Sequence, residues 1–238
     1  MISIDKLTVS IQNQILVQDI QIKINKAEIV GLVGASGSGK STIFKAIFHN
    51  IVPIHDFHIQ GDINIQDGTV QPVFQDSYSS FNPFLKIRRS LQEPAILKGM
   101  DMKLSLNEIN NFLPIFSLDK EILDHYPSQC SGGQLQRLAI LRAVLAKPNY
   151  LIMDEPISGL DHIVRKKVID LILDLRNRLQ LGILFISHDL DVVESICDRI
   201  YVMNQGRIIE EGSKGFLPNK NSQEYTKLLF NPWADSKY

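Results

Sequence analysis

Apolar and polar positions alternate over ISIDKLTVSI, residues 2–11, and again over IQIKI, residues 20–24, with Ile, Val and Thr prominent. A period of two sends successive side chains to opposite faces, so both runs predict half-exposed strands. EIVGLVG at 28–34 differs: it is a nearly unbroken apolar run ending in glycine, the pattern of a strand buried on both faces of a parallel sheet. A Gly-rich loop and a helix over about 40–50 are expected after it. NYLIMD (149–154) and GILFIS (182–187) read as two more buried strands, with an amphipathic helix from about Asp161 to Leu179 between them. Strand, helix and strand in this order predict an α/β core.

Between Gln75 and Pro148 the Val/Ile-rich runs give way to helical periodicity, with helix-start pairs such as Ser105 and Glu108. A mostly helical insert over 76–148 is therefore expected between core segments 1–75 and 149–212. The tail, 213–238, holds GFLPNKNSQEYTKLLFNPW, enough for one short helix at most. No internal repeat or low-complexity segment is visible.

Composition narrows the function classes. Lys plus Arg number 25 against 26 Asp plus Glu, so the global basic field that non-specific nucleic-acid binding uses is absent and no nucleic-acid partner is expected. The run Arg165, Lys166, Lys167 reads as the wet face of its helix. Cys130 and Cys197 lie far apart, which fits neither a disulfide framework nor a clustered metal site, and a reducing cytoplasm is the simplest setting. The first residues show no signal-peptide pattern, and no apolar run approaches the ~20 residues of a membrane span.

Two stretches carry anion chemistry. GASGSGKST, residues 34–42, fits G-x-x-x-x-G-K-[ST] through Gly34, Gly39, Lys40 and Ser41, after a buried strand and before a helix. Backbone N–H groups across Gly34, Ala35, Ser36, Gly37, Ser38, Gly39 and Thr42 would close around phosphate oxygens, with Lys40 on the β and γ phosphates and the Ser41 hydroxyl on Mg2+. The second stretch is YPSQCSGGQLQRLAI, 126–140, where Ser131 and Gln134 have the spacing of a helix capping box around Gly132 and Gly133. A helix start offers unpaired N–H groups and the positive end of the dipole, hence another place for an anion. In YLIMDEP, apolar residues carry Asp154 to the end of a strand, where a metal site would sit, and Glu155 follows as a carboxylate able to orient a water or accept its proton.

Weaker patterns are set aside on chemical grounds. Ser187, His188 and Asp189 have the composition of a hydrolytic triad, but sequence neighbours at a strand end do not converge as nucleophile, base and orienter. His49, His55 and His58 lack accompanying metal-ligand spacing and read as solvated loop residues.

Taken together, these motifs resemble the nucleotide-binding subunits of ABC transporters over essentially residues 1–212. The resemblance implies a phosphate-loop, RecA-like ATPase core with an N-terminal antiparallel β subdomain and a mostly helical insert, and binding of ATP and Mg2+. It puts the phosphate loop on Gly34–Thr42, the Q-loop on VFQD with Gln75, and the signature on Ser131, Gly132, Gly133 and Gln134. It gives the Mg2+ aspartate as Asp154, the catalytic glutamate as Glu155, the D-loop as SGLD with Asp161, and the switch histidine as His188; Gln75 would serve both metal and water. In that family two subunits sandwich two ATPs head to tail, so one chain's two anion cradles would serve different nucleotides. Departures are Cys130, where the family usually has Leu and apolar packing is expected, and Ile11, where it commonly has an aromatic ring against adenine.

The continuation QDSYSSFNPFLKI and the tail residues Tyr225 and Thr226 resemble the peptide, nickel and opine importer branch, and the short tail points to its nickel or metallophore type. The implied partners are a second, non-identical ATPase subunit, two membrane permeases and, indirectly, an extracytoplasmic binding protein, with the chain on the cytoplasmic face of the membrane. The exposed segment Asp76–Ile87 is the expected coupling contact, through Phe81 and Phe84. The alternative is a soluble single-domain ABC ATPase of cofactor assembly or repair without a permease. A phosphate-loop kinase is the more distant rival, with no use for CSGGQ.

Overall fold

The computed structural model describes residues 1–49, 56–66, 68–215 and 218–231. In chain order the elements are β1 (Ile2–Ile11), β2 (Gln14–Ile24), β3 (Ile29–Val33), α1 (Lys40–Ile47), β4 (Phe57–Ile65), β5 (Val70–Val73), α2 (Ile87–Leu97), α3 (Met102–Phe112), α4 (Gly132–Leu145), β6 (Tyr150–Asp154), α5 (His162–Leu179), β7 (Gly182–Ile186), α6 (Leu190–Ile196), β8 (Arg199–Asn204), β9 (Arg207–Ser213) and α7 (Glu224–Phe230). Two compact units result: Met1–Gly68 with Gly182–Tyr238, and Thr69–Leu181. Among the described residues no helix is long and apolar enough to cross a membrane. His55, Asn50 and the end of the tail lie outside the described residues.

In the first unit β1 runs antiparallel between β2 and β4. Ile2 faces Ile24, Ile4 faces Ile22 and Leu7 faces Ile20, and all of these side chains are fully buried. The buried set changes phase between Ile4 and Leu7, which strict alternation forbids. Lys6 resolves this with a φ of 51°, an irregularity that both pairings of β1 register. Gly61 of β4 lies against it, where an added Cβ would stand 2.4 Å from the Lys6 carbonyl oxygen.

The other strands of this unit form the α/β part. β3 pairs in parallel with β7 and β8, and β9 returns antiparallel to β8. Every residue of β3 and of β7 is buried, as the continuous apolar runs predict. Burial of each such Ile, Leu or Phe contributes roughly 1.5–3 kcal/mol, which fixes where the strands end and so where the loops beyond them begin.

In the second unit β5 and β6 pair in parallel, Val70 with Tyr150 and Val73 with Met153. Pro72 lacks an N–H, and its strand is an edge strand, where that loss is tolerated. Helices α2, α3 and α4 pack on one another, giving the helical region expected from the sequence. One helix start falls elsewhere than expected. Asp101 caps α3, its Oδ1 accepting from Lys103 N at 2.8 Å and Leu104 N at 3.2 Å, while Ser105 is buried inside the helix. Glu108 pairs with Lys147 at 3.1 Å instead of folding back on a cap. An Asp N-cap is as favourable as Ser, and it leaves Ile109 on the buried side.

Candidate functional site

In the first unit the phosphate loop leaves the carboxyl end of β3 and leads into α1. Gly34 passes so close to β8 that an added Cβ would stand 2.2 Å from the Met203 carbonyl oxygen. Gly39, with a φ of 108°, is the N-cap of α1, and a Cβ there would meet Val17 at 2.6 Å. Side chains at these two positions would force the loop open, so the pattern of glycines is a packing requirement. Ala35, Ser36, Gly37 and Ser41 are exposed, Thr42 is half-buried, and Ser38 is buried. The Lys40 side chain is buried, and its Nζ donates to Gly34 O at 2.7 Å and Ala35 O at 3.0 Å. Phosphate oxygens are stronger acceptors than these carbonyls, so the ammonium is held within the loop ready for exchange.

β7 runs beside β3, and Ser187 N donates to Leu32 O at 3.3 Å, which puts His188 at the same carboxyl edge of the sheet as the loop. His188 is exposed there. Ser187 is fully buried and its Oγ accepts from Asp189 N at 3.0 Å, while Asp189 caps α6. These bonds make a strand-to-helix turn, not a triad.

The second unit repeats the principle: Gln75 lies just past β5, and Asp154 and Glu155 lie at the end of its parallel neighbour β6. The carboxyl ends of parallel strands are where open α/β sheets carry their ligands. Asp154 is 9% exposed and closes a strand whose five residues are all buried. Glu155 is half-buried with a φ of 49°, a left-handed conformation uncommon for Glu and invisible in the residue pattern. Gln75 is exposed.

The signature stretch forms the predicted helix start. Ser131 Oγ accepts from Gln134 N at 3.2 Å, and Gln134 Oε1 accepts from Ser131 N at 2.8 Å. Asp161 caps α5, accepting from Ile163 N and Val164 N at 3.0 Å each. The two helix starts touch, because a Cβ on Gly133 would stand 2.3 Å from Val164 Cγ1, whereas one on Gly132 meets nothing within 4 Å. The paired glycines therefore answer different demands. Gly133→Ala is expected to destabilise the fold by about 1–3 kcal/mol through overpacking, and Gly132→Ala to leave the denaturant midpoint unchanged or raised. Equal midpoints for the two variants would contradict this packing.

Sequence reasoning missed Arg137, which sits one turn into α4. Its NH1 donates to Phe116 O at 3.0 Å and Ser117 O at 2.7 Å, anchoring the signature helix to the segment before it, and burial lowers its pKa from the ordinary guanidinium value. Tyr225 belongs to the tail pattern, and its hydroxyl accepts from Ala35 N at 3.0 Å. Cys130 is half-buried, its thiol donating to Tyr126 O at 3.6 Å, and burial pushes its pKa up. Ile11 ends β1 half-buried, across from Phe57 of β4. His49 stacks on Phe57 with ring centroids 6.3 Å apart, and among the described residues no cluster of His, Cys, Asp and Glu could hold a metal.

A phosphate loop behind a buried parallel strand, with strand-end carboxylates and a capped second helix start, defines the class of phosphate-loop nucleotide-binding proteins. Comparison with known proteins narrows the class. The ABC transporter family matches residues 17–158. The oligopeptide transport ATP-binding protein OppF of Lactococcus lactis subsp. lactis is 36% identical over 231 residues, covering 92% of this chain and 72% of that protein. A Brucella ovis protein named for peptide import is 35% identical over 227 residues, covering 91% of this chain and 72% of its own length. Among solved structures, the dimeric ATP-binding cassette MJ0796 bound to ADP and Pi superposes with a TM-score of 0.77 at 24% identity, over 90% of this chain and 98% of that one. CbiO1 of Clostridium perfringens, part of an ABC transporter complex, gives 0.78 at 23% identity, over 90% and 88%. The chain belongs to the ATP-binding subunits of the ABC transporter family, and it is an ATPase.

Proposed function

We propose that this ATPase drives the uptake of oligopeptides through a membrane permease, paired head to tail with a second, non-identical ATPase subunit at the cytoplasmic face of the membrane. The names of the relatives described above speak for peptides, and neither name speaks for nickel or metallophore cargo. An extracytoplasmic binding protein would deliver the cargo to the two permease subunits.

In this reading the phosphate loop, with Lys40, grips the β and γ phosphates of ATP, and Ser131, Gly132, Gly133 and Gln134 meet the nucleotide held by the partner ATPase. Glu155 orients the attacking water and takes its proton. His188 contacts the γ-phosphate, and Asp161 belongs to the face that meets the partner. Ser41, Gln75 and Asp154 are the residues that would hold Mg2+; they offer an all-oxygen donor set of hydroxyl, amide and carboxylate, which suits a hard cation. When bound, that ion neutralises charge on the phosphate oxygens.

The observation that carries the permease reading is a cavity of about 650 Å³ in the second unit, lined by Phe74, Ser80, Leu85, Glu93, Leu97 and Arg142 among others. Ser80 and Leu85 come from the segment that follows Gln75, so an apolar recess and the Q-loop share one short stretch of chain. That stretch is held by its own side chains: Asp76 Oδ1 accepts from Tyr78 N at 3.0 Å, and Asn82 Oδ1 accepts from Phe84 N at 3.0 Å. A permease helix seated in the recess would thereby sense the conformation of Gln75, which is how differential contacts bias a two-state arrangement.

The structure corrects one expectation here. Phe81 is 4% exposed beneath the Arg142 guanidinium, whereas Phe84 is 86% exposed. In this reading Phe84, the exposed ring, makes the coupling contact and Phe81 does not. Phe84→Ala is expected to keep basal ATPase activity and thermal stability while losing permease-stimulated activity and uptake; Phe81→Ala should cost about 3–5 kcal/mol of stability. Undiminished uptake in a well-folded Phe84→Ala strain would remove this segment from the coupling path.

A further inference from the structure

Tyr225 ties the phosphate loop to the C-terminal segment. The contact spans 190 residues of sequence: the hydroxyl accepts a hydrogen bond from the Ala35 N–H at 3.0 Å. The same peptide unit gives its carbonyl, Gly34 O, to the Lys40 ammonium at 2.7 Å. One peptide plane is therefore held at both ends, by a charged side chain of the loop and by a neutral hydroxyl from outside it. The outside anchor is itself well seated. Ser222 Oγ donates to Glu210 Oε1 at 2.6 Å, Gln223 N donates to Glu210 Oε2 at 3.2 Å, and Gln223 Nε2 donates to Ile209 O at 2.8 Å. Ser222 and Thr226 are buried, so the segment carrying Tyr225 is docked on β9 and not loosely apposed to it. Burial alone would raise the Glu210 carboxyl, but the bonds from the Ser222 hydroxyl and the Gln223 N–H, together with the charge of Lys227, hold it below the usual carboxylate range.

Nucleotide binding would act on one end of that peptide plane, where the Lys40 ammonium holds Gly34 O. Lys40 donates to Gly34 O and to Ala35 O, and an ammonium that turned to phosphate, the stronger acceptor, would give up these bonds. The Gly34–Ala35 peptide would then lose its hold at the carbonyl end, next to a glycine whose own backbone dihedrals are permissive, and the Tyr225 bond remains at the other end. The Tyr225 hydroxyl takes up the Ala35 N–H, which therefore holds the loop instead of closing on phosphate as the sequence suggests, and it does not compete for the lysine.

We propose that Tyr225 is a positioning residue of the nucleotide site: docked through Glu210, it fixes the Gly34–Ala35 peptide so that the phosphate loop keeps its binding shape when Lys40 turns to phosphate. The benefit is preorganisation, since an ordered loop has less freedom to lose on binding. The proposal rests on the phosphate loop being the ATP site, which the wild-type chain tests in the same experiment.

The experiment compares ATP and ADP binding by calorimetry, and steady-state ATP hydrolysis, in full-length wild-type, Tyr225→Phe and Glu210→Ala proteins. Tyr225→Phe removes one oxygen and keeps the ring. It is expected to raise the Kd for both nucleotides and the KM for ATP about fivefold, the worth of one net hydrogen bond, with kcat at saturating ATP and the thermal midpoint unchanged. A merely structural tyrosine would shift the midpoint and leave the KM alone. Glu210→Ala, which undocks the segment, should raise the Kd in the same direction, and adding Tyr225→Phe to it should cost nothing more. An unchanged Kd in Tyr225→Phe overturns the proposal. So does a lower one, which would make the hydroxyl a latch competing with nucleotide. Failure of the wild-type chain to bind ATP would instead overturn the nucleotide site itself.

Discussion

Glu155→Gln is expected to bind ATP as tightly as the wild-type chain and to hydrolyse it about 10²–10⁴-fold more slowly, the range for loss of a general base. The substitution keeps the size and shape of the side chain and removes only its ability to take a proton. Glu155 follows directly on Asp154, the last residue of a strand whose side chains are buried throughout, so its backbone position is fixed by the core. The left-handed φ of 49° at Glu155 shows how strongly the surroundings determine that position, because such a conformation costs of order 1–3 kcal/mol and persists only where neighbouring structure imposes it. Single-turnover hydrolysis beside equilibrium ATP binding checks the prediction. Normal turnover in Glu155→Gln would assign the base to another group.

Lys40→Met carries the second large effect. The ammonium is buried and satisfied by the carbonyls of Gly34 and Ala35, so its desolvation is met within the chain itself. Exchange of these neutral acceptors for phosphate oxygens strengthens its hydrogen bonds. Removal of the charge while keeping the stem is expected to weaken ATP binding by about 2–3 kcal/mol, roughly 30- to 150-fold. Calorimetric titration reads this directly, with the thermal midpoint as the control for loop collapse. ATP affinity within twofold of wild type would place the phosphates elsewhere.

What the sequence revealed and what it concealed divide along physical lines. Continuous apolar runs made β3, β6 and β7 legible, because a strand buried on both faces has no polar positions to blur the pattern. The phosphate loop and the Ser131–Gln134 capping box were legible because each is a local arrangement with a fixed spacing. β4 and β5 were not read, since Gly61 interrupts one and Pro72 the other. The start of α3 was misplaced by a turn because Ser105 offered the same local chemistry as Asp101, and only packing decides between them. Phe81 and Phe84 look alike in sequence; the Arg142 guanidinium, far along the chain, buries one and leaves the other in solvent. The Tyr225 contact with Ala35 belongs to the same kind, a product of tertiary structure that no periodicity encodes.

The uptake proposed for this ATPase depends on its working on a membrane permease. The most direct test is to isolate tagged Glu155→Gln chain with ATP and Mg2+ from detergent-solubilised membranes of its own cell and to identify what accompanies it. Two membrane permease proteins and a second, non-identical ATPase are expected, held together because the closed state is not released by hydrolysis. A chain that binds ATP yet comes away with no membrane protein would contradict it, and would favour the permease-free ATPase.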